Sequence, residues 1–524
     1  MSASRMDSEI IVLAGKTLAE IGGPLFGQFL ELGGRCVNGG IYDPGSPTAR
    51  TDGVRADVVE AIRELRPTHI RYPGGCGASY FDWLELVGPP QGRPRAKLFR
   101  TTGVPQSTAF GIPEAWALCQ ELGAELYLTV NANTQSPEDA ANLVEYLNGT
   151  TRTRWADLRR AHGREEPYCV RLFGLGNEVY GDWQAGQRSA AEYAAWCRQA
   201  IVQMKRVDPG IKAVVCGCGR PNPEWDRTVL FETIGLADMI SAHNYFGRPI
   251  FRDSMAASRV CEEMLNALNV AIDEAMDSTL GMHPRARREM GALPRVRERP
   301  GIALDEWNVW YRAGHEPLHD GEEVYDYTDA LTVATLMHVI LRNARAVKLA
   351  NASLAVNVLA GIMTDSTRCV RQTIWHAQKL VRDAHSGRVL QAVVDCPEFS
   401  AKHERFFCGV VDPQKAKDET LPTLLHYDDI EALDVLVSVD RAQGKLAMSV
   451  VNKLEDRSLT ALLTWRGVKP GGSGMKVSRL TGDSLQATNT LDSPGNVGIE
   501  TRREPVAPVF TFPSASLTVL EFAI

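Results

Sequence analysis

Eight times between residues 21 and 385, a short, mostly apolar run is followed by a longer stretch with helical periodicity. Such alternation demands a parallel sheet with crossover helices, and eight units favour a closed (β/α)₈ barrel over an open sheet. The expected strands are Pro24–Leu30, Thr68–Tyr72, Glu125–Val130, the run from Val170 into Gly174–Leu175–Gly176, Lys212–Cys216, Met239–Ala242, the run opening at Gly301, and Ala346–Ala350. The expected helices are Gly53–Arg66, Ile112–Leu122, Pro137–Asn148, Ala190–Val207, Trp225–Ile234, 254–278, Thr328–Arg342 and Val370–Arg382. Pro113 suits a first helical turn and Ser136 an N-cap.

Beyond about residue 385 the period changes to short β-rich runs: Val389–Val394, Phe406–Val411, Ala432–Asp440, Leu446–Asn452, Thr460–Thr464, Lys476–Leu480 and Ser516–Phe522. Turn-rich segments such as R-A-Q-G, K-P-G-G-S-G and S-P-G-N separate them, the pattern of an antiparallel β-sandwich. Residues 8–20 read as one or two short strands that complete the sandwich. The expected division is therefore a barrel over 21–385, with 1–20 and 386–524 together forming the sandwich.

A chain of 524 residues has room for a barrel of about 250 residues and a second domain. Its net charge of −7 argues against a nucleic-acid surface. No stretch approaches 18 apolar residues, so no membrane span is expected. The N-terminus lacks an apolar h-region, and the eleven cysteines are scattered and odd in number. Together these features read as reduced thiols in a cytoplasmic enzyme. Cys216 and Cys218 form C-G-C without a second pair or a nearby His cluster, so they read as buried small residues rather than a zinc site. The basic segment 281–300 reads as a solvated insertion.

Two of the apolar runs end in a carboxylate and then aromatics. One is V-R-L-F-G-L-G-N-E-V-Y-G-D-W, residues 170–183, with Asn177 and Glu178; the other is G-I-A-L-D-E-W-N-V-W-Y, residues 301–311, with Glu306. The C-terminal ends of barrel strands are where such folds keep catalytic groups. Two glutamates at two strand ends suit a retaining glycosidase, which needs a protonated acid and an ionised nucleophile roughly 5–5.5 Å apart. Carboxylates that close cannot both ionise easily, so one is expected to hold its proton. An asparagine beside the acid can hold a sugar hydroxyl, and an aromatic three to five residues later can wall the sugar. Glu31, at the end of another strand, either serves the same site or pairs with Arg35.

The sequence resembles glycoside hydrolase family 51, best known for α-L-arabinofuranosidases. The likeness is dense in G-G-R-C-V-N-G-G-I-Y-D-P-G (33–45), R-Y-P-G-G (71–75), G-L-G-N-E-V-Y-G-D-W-Q (174–184), D-P-G-I-K-A-V-V-C-G (208–217), S-A-H-N-Y (241–245) and D-E-W-N-V-W-Y (305–311). The resemblance implies a (β/α)₈ barrel with a jelly-roll-like β-sandwich, retention of configuration, no metal or cofactor, and a homo-oligomer, frequently a hexamer. It implies Glu178 as acid/base and Glu306 as nucleophile. Asn177 would hold the 2-hydroxyl, Glu31 the hydroxyls at the far end of the sugar, and Trp310 would line the pocket. His243 and Tyr245 would support the catalytic pair, and Arg71 would keep the nucleophile ionised. The implied substrate is a non-reducing terminal α-L-arabinofuranosyl group on arabino-oligosaccharides or arabinoxylan fragments. Cys76 and Ala360 depart from the residues the family usually places there, Asn and Gln, and a thiol or methyl offers the furanose less. That departure opens an alternative, the same machinery acting on a β-glucan, β-xyloside or other furanoside. A catalytically dead carbohydrate-binding protein is the remoter one.

Overall fold

The computed structural model describes residues 6–99, 104–218, 223–280, 298–311, 321–404 and 424–524. The expected strand Phe406–Val411 and residues 281–297 of the basic segment lie outside these.

The chain enters through β1 (Ser8–Ile21) and crosses at once into the barrel with β2 (Gly27–Phe29) and β3 (His69–Tyr72). A small hairpin, β4 (Lys97–Phe99) and β5 (Val104–Gln106), rises before β6 (Glu125–Val130), β7 (Leu172–Leu175), β8 (Lys212–Val215), β9 (Met239–Phe246), β10 (Gly301–Val309) and β11 (Val347–Ala352). Strands β2, β3 and β6 to β11 close into an eight-stranded barrel. The expected helices form between them, Ile112–Leu122 with proline in its first turn and Pro137–Asn148 capped by the Ser136 side chain. The helix Arg154–Ala161 was not foreseen; it is short and polar, with only Ala156 and Arg159 buried. One side-chain layer inside the barrel comprises Tyr127, Leu172, Val214, Met239, Ala303 and Leu349, so the lower barrel is filled rather than open.

A two-stranded ribbon, β12 (Ile362–Thr364) and β13 (Cys369–Arg371), precedes the last barrel helix, Thr373–Ala384. The C-terminal strands are β14 (Gly387–Asp395), the hairpin β15 (Glu398–Glu404) and β16 (Leu424–Glu431), then β17 (Leu433–Asp440), β18 (Lys445–Asn452), β19 (Leu459–Arg466), β20 (Gly471–Gly482), β21 (Val497–Pro505), β22 (Val509–Phe512) and β23 (Ser516–Ala523). Nine strands join in the order β21-β20-β23-β18-β17-β14-β1-β19-β22. The sheet curls over its own apolar core of Ile10, Val12, Leu433, Val450, Phe512 and Leu520. Trp465 of β19 meets Phe522 of β23 at 5.3 Å across that core, although the two strands are far apart in the sheet order. The sandwich is thus built from both chain ends, as expected. The N-terminal element differs from the short strands expected: it is one strand of 14 residues, bent by register shifts between Leu13 and Ala19. The bend lets its first half pair in parallel with β19 while its whole length follows β14.

A buried polar chain fastens the barrel to the sandwich. Ser438 donates to His385 Nδ1 (2.8 Å), and His385 Nε2 donates to Ser449 Oγ (2.8 Å). Ser449 in turn donates to His338 Nε2 (2.6 Å), and His338 Nδ1 to Asp434 (2.8 Å). With both histidines neutral, each donor finds one acceptor in this direction. Arg342 completes the chain at 2.8 Å from Asp434. Burial opposes the charged carboxylate, but the Arg342 guanidinium and the His338 N–H outweigh it and hold Asp434 far below the usual carboxylate range. Replacing Asp434 by alanine strands Arg342 without its counter-ion and is expected to cost about 3–5 kcal/mol, read as a lower denaturant midpoint. The sign with pH follows from the depressed value: the wild-type contribution is present above the unfolded-state value near 4 and fades below it. A variant as stable as wild type at neutral pH would contradict this account.

Candidate active site

The C-terminal strand ends of the barrel gather the expected side chains. After β7 the backbone turns sharply, with φ +82° at Gly176 and +42° at Glu178. A left-handed glutamate is uncommon and typical of strained functional turns. The turn is closed by Gly181 N–H donating to the Glu178 carbonyl (2.7 Å). The sequence suggested that His243 and Glu306 follow their strands. In fact β9 runs through to Phe246 and β10 to Val309, so both residues sit on the strands themselves.

Strand β10 carries a bulge. Ala303 pairs with Ser241 but Glu306 pairs with His243, so one extra residue lies on the β10 side; the pairing with β11 slips over the same residues. Neighbouring residues on a strand normally face opposite ways. Here the bulge lets both Asp305 and Glu306 face the barrel interior, where each meets Arg71 and His243.

Glu306 accepts from Arg71 Nη1 (2.6 Å) on one oxygen and from the Tyr245 hydroxyl (2.9 Å) on the other. Arg71, 1% exposed, also donates to Asn177 Oδ1 (2.7 Å). Among the described residues the Asn177 amide nitrogen has no hydrogen-bond partner, and it is buried. Glu178 accepts from Trp183 Nε1 (3.0 Å) and His243 Nδ1 (3.1 Å), with the Tyr180 hydroxyl at 3.4 Å. One ligating atom each from Glu178, His243 and Glu306 lies within 4.8 Å of the others, so the two carboxylates face one another at close range. Such a trio has the spacing to hold a cation. Burial disfavours a charge on the His243 ring, but Glu306, Asp305 and Glu178 outweigh that and raise it to about 10.

Glu31 accepts from Gly77 N–H (2.9 Å) and does not pair with Arg35, which reaches Glu322 instead (2.8 Å). A side chain on Gly75 would lie 3.0 Å from the Glu31 carboxylate and 3.2 Å from that of Glu306, so this glycine keeps the space between them open. Burial and the charge of Glu306 push the Glu31 carboxyl up to about 7. The Cys76 thiol accepts from Gln184 Nε2 (3.2 Å); burial raises it well above a free thiol, with Glu31, Glu178 and Glu306 adding to the rise. Trp310 packs edge-on to Tyr245 at 5.2 Å. Ala360 is fully buried, and its carbonyl accepts from Gln372.

The structure thus brings together Glu31, Arg71, Cys76, Asn177, Glu178, His243, Tyr245, Glu306 and Trp310. Trp183, five residues after Glu178, donates its indole N–H to that carboxylate. The sequence reading missed Asp305, Tyr127 and Gln184. Tyr127 donates to Asp305 (2.8 Å), and Gln184 is held by Ser79 Oγ (3.1 Å). The adjacent carboxylates of Asp305–Glu306 were the only signal, and strand alternation argued against using both. Cys216 and Cys218 are buried, as the reading of them as small buried residues expects.

The model of the α-L-arabinofuranosidase 1 domain matches residues 61–259, and that of the α-L-arabinofuranosidase C-terminal domain matches residues 305–516. Alpha-L-arabinofuranosidase C of Emericella nidulans is 33% identical over 97% of this chain and 96% of its own length. An intracellular exo-α-(1→5)-L-arabinofuranosidase of Halalkalibacterium halodurans is 33% identical over 74% of this chain and 77% of its own. The α-L-arabinofuranosidase of Thermotoga maritima, solved with arabinose, superposes with a TM-score of 0.86 at 30% identity, covering 99% of this chain and 100% of that one. A family 51 α-L-arabinofuranosidase of Thermotoga petrophila does so at 0.85 and 31% identity, over 98% and 99% of the two chains. By its sequence, its barrel and its sandwich, the chain belongs to the α-L-arabinofuranosidases of glycoside hydrolase family 51.

Proposed function

We propose that this chain releases terminal α-L-arabinofuranosyl groups from short oligosaccharides by double displacement. The observation that carries the reading is the close facing of Glu178 and Glu306, whose oxygens come within 4.8 Å, each with a different set of partners. Retaining enzymes place the pair at roughly 5–5.5 Å, whereas inverting enzymes leave room for a water between them. Arg71 and Tyr245 stabilise the anion on Glu306 as nucleophile. Glu178 gives its proton to the leaving oxygen and then takes one from water. The free Asn177 amide donates to the sugar 2-hydroxyl, Glu31 meets the hydroxyls at the far end, and Cys76 and Trp310 line the pocket.

The barrel 21–385 acts as the catalytic unit and the sandwich as its brace, a division supported by the buried chain at Asp434. The substrates are arabino-oligosaccharides or arabinoxylan fragments taken up into the cytoplasm. That placement is supported by the free cysteines of the described residues and by the intracellular relative. No described helix is long and apolar enough to cross a membrane. The enzyme works as a homo-oligomer, a hexamer, which light scattering of the purified protein tests.

The reaction is tested by following an aryl α-L-arabinofuranoside by proton NMR. The α anomer of arabinofuranose is expected first. The β anomer first would overturn retention. Inactivity of folded enzyme on every arabinofuranoside, with turnover of a β-glycoside, would overturn the substrate class.

A further inference from the structure

His243 sits at the centre of the carboxylate cluster. Its Nδ1 lies 3.1 Å from Glu178 and 3.6 Å from Glu306. Its Nε2 faces Asp305 Oδ1 at 3.2 Å as an ion pair, and among the described residues no other hydrogen bond reaches either atom. Asp305 is 1% exposed, fixed by the Tyr127 hydroxyl at 2.8 Å and by Arg71 Nε at 3.7 Å. Cys216, just after β8, is a thiol that burial keeps neutral. One side of the ring is therefore anchored to a carboxylate that takes no part in bond making, and the other side looks at both proposed catalytic glutamates.

From this geometry we infer that Asp305 is a positioning residue: it anchors His243 Nε2–H, leaving Nδ1–H to pivot between Glu178 and Glu306 as negative charge passes from one to the other. The inference rests on the roles proposed for those two glutamates. In the first step Glu178 gives its proton to the leaving oxygen, the glycosidic bond breaks, and Glu306 bonds to the anomeric carbon as an ester. The negative charge has then moved from Glu306 to Glu178. In the second step water gives a proton to Glu178 and its oxygen to the anomeric carbon, the ester bond breaks, and the charge returns to Glu306. An imidazolium with its far nitrogen fixed follows that charge by a small rotation and needs no proton transfer of its own. The bulge in β10 is what makes this possible, because without it Asp305 would face away from the ring.

Asp305→Asn tests the inference. Asparagine keeps the shape and can still accept from Tyr127, but its amide N–H₂ turned to Nε2 requires an unprotonated nitrogen there. The variant exchanges an anion–imidazolium pair for two neutral groups. Glu178 and Glu306 then lose the cation beside them, while the lost anion lies beyond the ring. The expected result is a fall in kcat of about 10²-fold, with both limbs of the pH profile of kcat/KM moved to higher pH. A rate loss with unmoved limbs would reduce Asp305 to a packing residue and overturn the inference. Neutron diffraction of the wild-type enzyme at neutral pH reads the ring directly, whether or not the variant folds. Two protons on His243 are expected, and one would overturn the inference. The roles beneath it fail separately: they fall if Glu306→Ala still turns over, whereas a dead Glu306→Ala beside unmoved Asp305→Asn limbs sinks only the anchor.

Discussion

Glu306→Ala is expected to lose at least about 10⁴-fold in kcat on an aryl arabinofuranoside, because the covalent path has no other nucleophile. Asp305 is committed to Tyr127, Arg71 and His243. Glu31 lies on the far side of the space that Gly75 keeps open, where it accepts from the Gly77 N–H. The alanine also leaves space beside the anomeric carbon. Added azide or formate should fill it and restore turnover, with azide giving the inverted glycosyl azide. Initial rates with and without the anion make the check. Turnover near the wild-type rate, or no rescue from a protein shown to be folded, would argue against Glu306.

Glu178→Ala should show a different signature. A substrate with a poor leaving group, such as an arabino-oligosaccharide, needs the proton and should lose about 10²–10⁴-fold in kcat/KM. A dinitrophenyl arabinofuranoside leaves without help, so its kcat/KM should stay within a few-fold of wild type. Its kcat should still fall, because water then attacks the glycosyl-enzyme without a base. Azide needs no base, so it should restore kcat and give the retained azide. Equal losses for good and poor leaving groups would contradict the acid role. The partners of Glu178 fit this division: Trp183 and His243 donate to it, whereas the fixed guanidinium of Arg71 is spent on Glu306 and Asn177.

The barrel was legible because its strands are short, mostly apolar runs that alternate with helical periodicity, and because a parallel sheet leaves little room for polar residues within a strand. Glu178 and Glu306 were legible as charges at the ends of such runs. The elements that were missed lack that contrast. Strand β21 carries exposed Glu500, Thr501, Arg502 and Arg503 on the sheet edge, so its sequence shows no alternation. Tyr127 lies within E-L-Y-L-T-V, where it reads as strand filler until the closed barrel sets it against Asp305. The inward turn of Asp305 depends on a bulge, which is a matter of register against β9 and β11 and leaves no mark on β10 itself. Arg35 bonds to Glu322 rather than to Glu31 because the closed fold brings together positions 287 apart in the chain. The reach of Trp183 back to Glu178 follows from the left-handed turn at Glu178, which the sequence does not announce.

The most direct test of the account is mass spectrometry of peptides from Glu178→Ala after brief exposure to dinitrophenyl α-L-arabinofuranoside. In that variant the first step should outrun the second, so the glycosyl-enzyme should accumulate. The account predicts one added anhydroarabinose on the peptide that contains Glu306. A label on Glu31, on Asp305 or on no residue, from enzyme that releases dinitrophenol, would contradict it.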